Sequence, residues 1–398
     1  MFLFKSKVES TLKYCMDNKL YKKYRVNILC RTMIESIEKK IKTHKGTVLR
    51  TIPSLNIICA SLPPSGIERL TELPEVKHIT QDGHAFLCGS SVLGANGMAI
   101  KGKFPLSGKG IGVAVIDSGV YPHPDLLNPG SRIKKFTDII NGYRYPYDDH
   151  GHGTFISGII CGSGYNSKGM YRGVAENATL YMVKAFNSLG RAYISDILYS
   201  LELISEEAEE FNIRVICLPF ELMEHNPTTV KLFSKAFERL TASGIIPVVP
   251  SGSQGCEEGS IRGLAALNSC ITVGGLDTTT SNTLPYAYSS SGPVEKIEKP
   301  NIAAACVEIC SLNTNTRYIP ERNGIKLYPM NLDKPYATYT GTSCASAFIS
   351  GVIALLFENK KDLTFRDVAS LLKVSSSMVN ASHWVQGAGM VDLQKLMS

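Results

Sequence analysis

Gly341-Thr342-Ser343-Cys344-Ala345-Ser346-Ala347 runs directly into an apolar stretch, Phe348 to Phe357. A Gly-Thr turn presents one serine at the start of a helix. The residues that follow, Ile349, Val352, Ile353, Ala354, Leu355 and Leu356, leave that helix without a polar face. A helix apolar all round is a buried one. Serine at a helix start is usually a cap. A serine that opens a buried helix of small residues is also well placed as a nucleophile, because the helix N-terminus favours developing negative charge. On this stretch alone the two roles stay open.

Upstream, the apolar pattern is that of a sheet. Ile111 to Ile116 is continuously apolar, as a strand buried on both faces requires. Similar runs occur at Thr179–Lys184, Val215–Leu218, Ile245–Val249 and Cys270–Val273, with helical segments near 153–161, 193–210 and 229–242. Such alternation predicts a mostly parallel sheet covered on both sides, an α/β fold. The first strand ends Ile116-Asp117-Ser118-Gly119. Sites in open parallel sheets lie beyond the carboxyl ends of strands, so Asp117 is placed either to act or to cap a turn. Next comes Tyr147-Asp148-Asp149-His150-Gly151-His152-Gly153-Thr154. Two histidines one residue apart suggest a metal pair, but no acidic or cysteine partner has convincing spacing. The alternative is an imidazole acting as general base.

The N-terminal part differs in pattern and charge. Residues 1–20 read as an amphipathic surface helix, an extension rather than a membrane anchor. Residues 21–83 show the order β-α-β-β-α-β of a small α+β, ferredoxin-like domain. Residues 84–108, rich in Gly, Ser, Ala and Lys, read as a linker, and 109–398 as the main domain. Residues 1–90 hold 15 Lys and Arg against 8 Asp and Glu, whereas the remainder holds 27 of each. A neutral main domain argues against nucleic acid as a partner. The chain has no run of about 18 apolar residues, so no membrane span is expected. Met1 to Lys5 is too short an apolar run for a signal peptide. Eleven cysteines, an odd number without a CxxC pair, point to free thiols and a cytoplasmic setting.

Asp117, His152 and Ser343 follow in the order Asp…His…Ser. The chain resembles subtilisin-like serine peptidases, the subtilases, in three motifs. These are Val113-Ala114-Val115-Ile116-Asp117-Ser118-Gly119, His152-Gly153-Thr154, and Gly341-Thr342-Ser343 with Ala345 and Ser346. Tyr121-Pro122-His123-Pro124-Asp125-Leu126, Gly173 to Ala178, Ser289 to Pro293, Glu298-Lys299-Pro300 and Gly387 to Asp392 resemble the intracellular AprX-like branch of that family. The resemblance implies a subtilisin-like three-layer fold and a serine endopeptidase acting on protein or peptide through an acyl-enzyme. It also implies that residues 21–83 are a propeptide-like inhibitor and chaperone, the enzyme's own partner. Asp117, His152 and Ser343 would be the triad. No cofactor is required, and Asp125 matches a residue that contributes to a calcium site in the family.

The sequence also departs from the family pattern. Where the family has an oxyanion-hole Asn, this chain has Ser253, followed by Gln254. The glycine-rich strand edge that pairs with substrate is replaced around Leu218, Pro219, Phe220 and Glu221, which with Gly252 would line the substrate cleft. Ala305-Cys306 and Ala347 replace Pro-Gly and Pro. Two readings follow: a peptidase of low turnover or narrow specificity, and a pseudoprotease that serves as a binding or regulatory module.

Overall fold

The computed structural model describes residues 6–31, 34–82, 91–98, 106–222, 226–294 and 297–397. It divides into two compact units, 1–86 and 87–398. The smaller contains α1 (Ser10–Asp17), β1 (Tyr24–Cys30), α2 (Ile34–Thr43), β2 (Thr47–Ile52), β3 (Ile57–Leu62), α3 (Pro64–Thr71) and β4 (Val76–Gln81). Its sheet is antiparallel in the order β2-β3-β1-β4. Alternate residues Val26, Ile28, Ile58, Ala60 and Leu62 turn to one face, where Ile37, Ile41, Ile67 and Leu70 of the two following helices cover them. Helix α1 is not an appendage. Leu12 and Met16 are buried in this same core, and Val8 bridges to Ile79, because an apolar stripe on a short helix needs a surface to cover it.

The larger unit begins with α4 (Val92–Ala95) inside the segment expected to be a linker. Ser91 caps α4 by accepting the Gly94 N–H at 3.0 Å, and Val92, Leu93 and Ala95 are buried in the main core. Asn96 Oδ1 accepts the Ala305 N–H at 3.0 Å. One turn is too short to show a periodicity, which is why the segment reads as linker in sequence. Residues 84–90 and 99–105 of that expected linker lie outside the described residues, and at its end the Ser107 and Gly108 N–H groups donate to Glu358.

There follow β5 (Gly112–Asp117), α5 (Pro124–Leu127), β6 (Ile133–Asp138), α6 (His152–Cys161), β7 (Thr179–Lys184), α7 (Ile194–Glu207), β8 (Ile213–Cys217), α8 (Pro227–Ala242) and β9 (Ile246–Pro250). Then come β10 (Ile271–Asp277), β11 (Leu284–Pro285), β12 (Ile302–Ala305), β13 (Ile309–Leu312), a small hairpin of β14 (Glu321–Arg322) and β15 (Ile325–Lys326), and β16 (Tyr336–Tyr339). The chain closes with α9 (Thr342–Asn359), α10 (Phe365–Ser375), β17 (Ser376–Ser377), α11 (His383–Gln386), β18 (Met390–Val391) and α12 (Leu393–Met397).

The main sheet runs β17-β18-β12-β10-β9-β8-β5-β7-β6, parallel from β18 to β6. Its strands alternate between two cores. Val113 and Val115 of β5 pack with α6 and α9, whereas Ala114 and Ile116 pack with α7 and α8. Helices therefore cover both faces, giving three layers. Helix α9 is long and apolar enough to span a membrane by composition, but 83% of it is buried inside the unit. It is the central core helix, and its first turn holds Ser343.

Candidate active site

Three element ends meet beyond the carboxyl edge of the sheet. Asp117 closes β5, His152 opens α6, and Ser343 is the second residue of α9. His152 Nδ1 lies 2.8 Å from Asp117 Oδ2 and 3.0 Å from Oδ1. Its Nε2 lies 3.2 Å from Ser343 Oγ. Because Asp117 accepts, Nδ1 carries the proton, so Nε2 is free to accept the Ser343 hydroxyl. The His152 side chain is 23% exposed and that of Asp117 only 5%. Burial lowers the His152 pKa, but the Asp117 charge and hydrogen bond, with the Asp148 charge beyond, outweigh it and hold the pKa above the ordinary histidine value.

The approach of α6 to β5 depends on two glycines. A Cβ on Gly153 would stand 2.1 Å from the Gly119 carbonyl oxygen. One on Gly119, whose φ is +118°, would stand 2.2 Å from that of Tyr147. The loop itself is tied by Asp148, which is fully buried. Its Oδ1 accepts from the Ser118 hydroxyl and the His150 and Gly151 N–H groups, and its Oδ2 from the Thr154 N–H and hydroxyl. Lys184, also fully buried, donates to Asp149 at 2.6 Å and to the carbonyls of Ser118 and Phe186. These two residues lock the histidine loop to the ends of β5 and β7. Nothing in their local sequence marks either as a partner of Ser118, because the contacts span 30 and 66 residues.

The remaining expected site residues fall in two places. Gly252 and Ser253 follow β9, and the Thr342 hydroxyl donates to the Gly252 carbonyl at 3.3 Å. The Ser253 hydroxyl donates to Glu221, which also accepts the Ser253 N–H at 3.2 Å. A hydroxyl has one proton, so in this arrangement Ser253 is not offering it to a substrate. Gln254 is exposed, and its backbone N–H is bound to Ser290 Oγ at 2.9 Å. Leu218 is buried, with its N–H on Val248. Pro219 has no N–H, and the Phe220 N–H folds back onto the Leu218 carbonyl at 2.9 Å. That edge therefore offers a peptide strand no N–H from Pro219 or Phe220.

Asp125 lies elsewhere, buried beside His123. Its Oδ1 accepts the Asn166 N–H at 3.0 Å and its Oδ2 the Tyr336 hydroxyl at 2.7 Å. Those neighbours are donors, the polarity opposite to a calcium cage, so this site does not fit the ion. Among the described residues no group of three or more His, Cys, Asp or Glu is gathered to hold a metal, and both nitrogens of His152 are committed within the trio. Cys344, next to Ser343, is buried, and burial pushes its thiol up to about 12. It therefore fills space rather than acting as a thiolate.

A family model described as the subtilase family matches residues 108–390. Serine protease AprX of Bacillus subtilis (strain 168) is 31% identical over 332 residues, covering 80% of this chain and 74% of that protein. An alkaline protease of Alkalihalobacillus alcalophilus is 25% identical over 367 residues, covering 91% and 83%. The solved structure of sphericase superposes with a TM-score of 0.61 at 21% identity, covering 76% of this chain and 96% of that one. The structural likeness bears on the fold, and the family match spans all three residues of the trio.

Proposed function

The chain belongs to the subtilase family, and from that premise we propose that it is a serine endopeptidase in which Asp117, His152 and Ser343 work as one unit. The observation that carries this reading is the unbroken chain from Ser343 Oγ through His152 Nε2 and Nδ1 to Asp117, at 3.2 and 2.8 Å. Ser343 Oγ attacks the peptide carbonyl carbon as its proton passes to His152 Nε2. The charge on the carbonyl oxygen develops at the N-terminus of α9, where the Ser343 N–H lies in the first turn and has no intrahelical acceptor. Asp117 stabilises the imidazolium. His152 then gives the proton to the leaving amine, leaving an acyl-enzyme, and water reverses the sequence to free the acid.

A base that must be neutral sets the pH dependence. His152 is held above its ordinary value, so kcat/KM should fall toward acid with a midpoint above about 6.5. Asp148→Asn, which removes one of the charges holding it there, should move that midpoint down. A pH profile with an acid midpoint below 6.5, or one unmoved in Asp148→Asn, would contradict this assignment of the base.

The second oxyanion donor is the weak part of the site. With the Ser253 hydroxyl on Glu221, turnover is low or confined to substrates that rearrange this pair. Loss of one such donor costs about 10²–10³ in kcat, a scale taken from subtilisin itself. The same pair favours a second reading, a pseudoprotease that binds without cutting. A fluorophosphonate probe separates them. Labelling that is lost in Ser343→Ala supports the peptidase; no labelling together with no hydrolysis of unfolded casein supports the binding module.

We assign residues 21–83 as the enzyme's own propeptide, supported by the separate antiparallel unit and its basic charge. We place the protein in a reducing, cytoplasmic setting, supported by the ten described cysteines, all free.

A further inference from the structure

Glu221 is separated from Ser253 by 32 residues, yet its carboxylate holds both the Ser253 N–H and the Ser253 hydroxyl. One of its oxygens would lie 2.9 Å from a Cβ on Gly252. Gly252 is in turn bound through its carbonyl to the Thr342 hydroxyl, one residue before the nucleophile. The carboxylate is therefore linked, through Ser253 and Gly252, to the residue that precedes Ser343. It is exposed, and among the described residues no Lys or Arg forms an ion pair with it. The described stretches 218–222 and 251–261 carry three glutamates, Glu221, Glu257 and Glu258, and no Lys or Arg.

This arrangement opposes the reaction as it stands. Negative charge develops on the attacked carbonyl oxygen, and a fixed negative charge nearby raises the energy of that state. Among the described residues no Lys or Arg pairs with Glu221, so a compensating charge can come with the substrate. The side chain that starts closest to the oxyanion is that of the residue whose carbonyl is attacked.

We infer that Glu221 is a specificity-determining residue that selects substrates carrying Arg or Lys at the residue whose carbonyl Ser343 attacks; this rests on the peptidase reading above. The substrate cation pairs with the carboxylate, with Arg able to engage both oxygens. The pair cancels the opposing charge and draws the carboxylate from the Ser253 hydroxyl, which turns its proton to the oxyanion. A neutral side chain at the same position leaves both the charge and the blocked donor in place. Selectivity thus comes from rejection of neutral substrates as much as from attraction of basic ones.

The test is digestion of a defined peptide library by the full chain, read by mass spectrometry, with kcat/KM measured on matched peptides differing only at that residue. Wild type should prefer Arg or Lys over Leu or Phe by tenfold or more, and high salt should shrink the ratio. Glu221→Gln, exposed and equal in shape, should bring the ratio near one, with kcat/KM rising on neutral peptides and falling on basic ones. Glu221→Lys should turn the preference toward Asp and Glu, which gives a second, independent reading. Wild type that cuts neutral peptides as well as basic ones, or a ratio unchanged in Glu221→Gln, overturns the inference while leaving the peptidase intact. No cleavage and no fluorophosphonate labelling of Ser343 removes the peptidase reading itself, and the selectivity with it.

Discussion

Ser343→Ala is expected to lower kcat by about 10⁶-fold, the scale known for subtilisin when its serine is removed. The loss is that large because the hydroxyl is the atom that forms the covalent intermediate, and no neighbour can replace it. Ser346 is fully buried and its hydroxyl donates to the Ser343 carbonyl at 2.9 Å. Thr342 is also buried, with its hydroxyl on Gly252. Stability should change little. Gly341, not Ser343, stands at the helix cap position, and the hydroxyl's bond to His152 is worth about 1 kcal/mol. The check is a melting curve beside single-turnover kinetics on a peptide that wild type cuts. A Ser343→Ala protein that keeps more than a thousandth of wild-type activity, after contaminating peptidases are excluded, would place the nucleophile elsewhere.

Asp117→Asn should cost about 10⁴-fold in kcat with the fold unchanged, the scale of the same change in another Ser-His-Asp enzyme. The reason lies in which oxygen faces which neighbour. Asp117 Oδ1 accepts the Ser118 N–H at 2.7 Å, while Oδ2 is the oxygen nearest His152. An asparagine keeps its carbonyl oxygen on the Ser118 N–H and therefore turns its amide toward His152 Nδ1. That amide is a donor, so Nδ1 must lose its proton and Nε2 must carry one. A protonated Nε2 cannot accept from Ser343. The loss should shrink as pH rises, where hydroxide can stand in for the base. It should also be far from additive with Ser343→Ala, because both act on one proton transfer. A drop below tenfold in Asp117→Asn would mean that Asp117 supports the loop rather than the imidazole.

Much of the fold is legible in the sequence. β5, β7 and the core helix α9 are buried on every side, and complete burial forces continuous apolar sequence that survives any reading frame. Of the strands the sequence did not show, two are instructive. β12 is Ile302-Ala303-Ala304-Ala305, and a run of alanines carries no strand preference of its own; its place is set by pairing with β10. β6, at the sheet edge, is Ile133-Lys134-Lys135-Phe136-Thr137-Asp138, with charges that suit an edge and disguise a strand. The same limit applied to α4 and to helix α1, whose roles depend on what they pack against rather than on their own period.

For the site, chain order and local motif were enough to nominate Asp117, His152 and Ser343, because each sits at an element end whose type and position the sequence encodes locally. The sequence also flagged Ser253 and Glu221 as departures, as two separate ones. Only the tertiary structure joined them, since a hydrogen bond between two loops depends on how β8 and β9 are laid side by side. It likewise revealed Asp148 and Lys184 as the ties of the histidine loop. The Ser343 stretch, read with Asp117 and His152, therefore nominates the nucleophile. How Glu221 and Ser253 meet beside it is set through space and not along the chain.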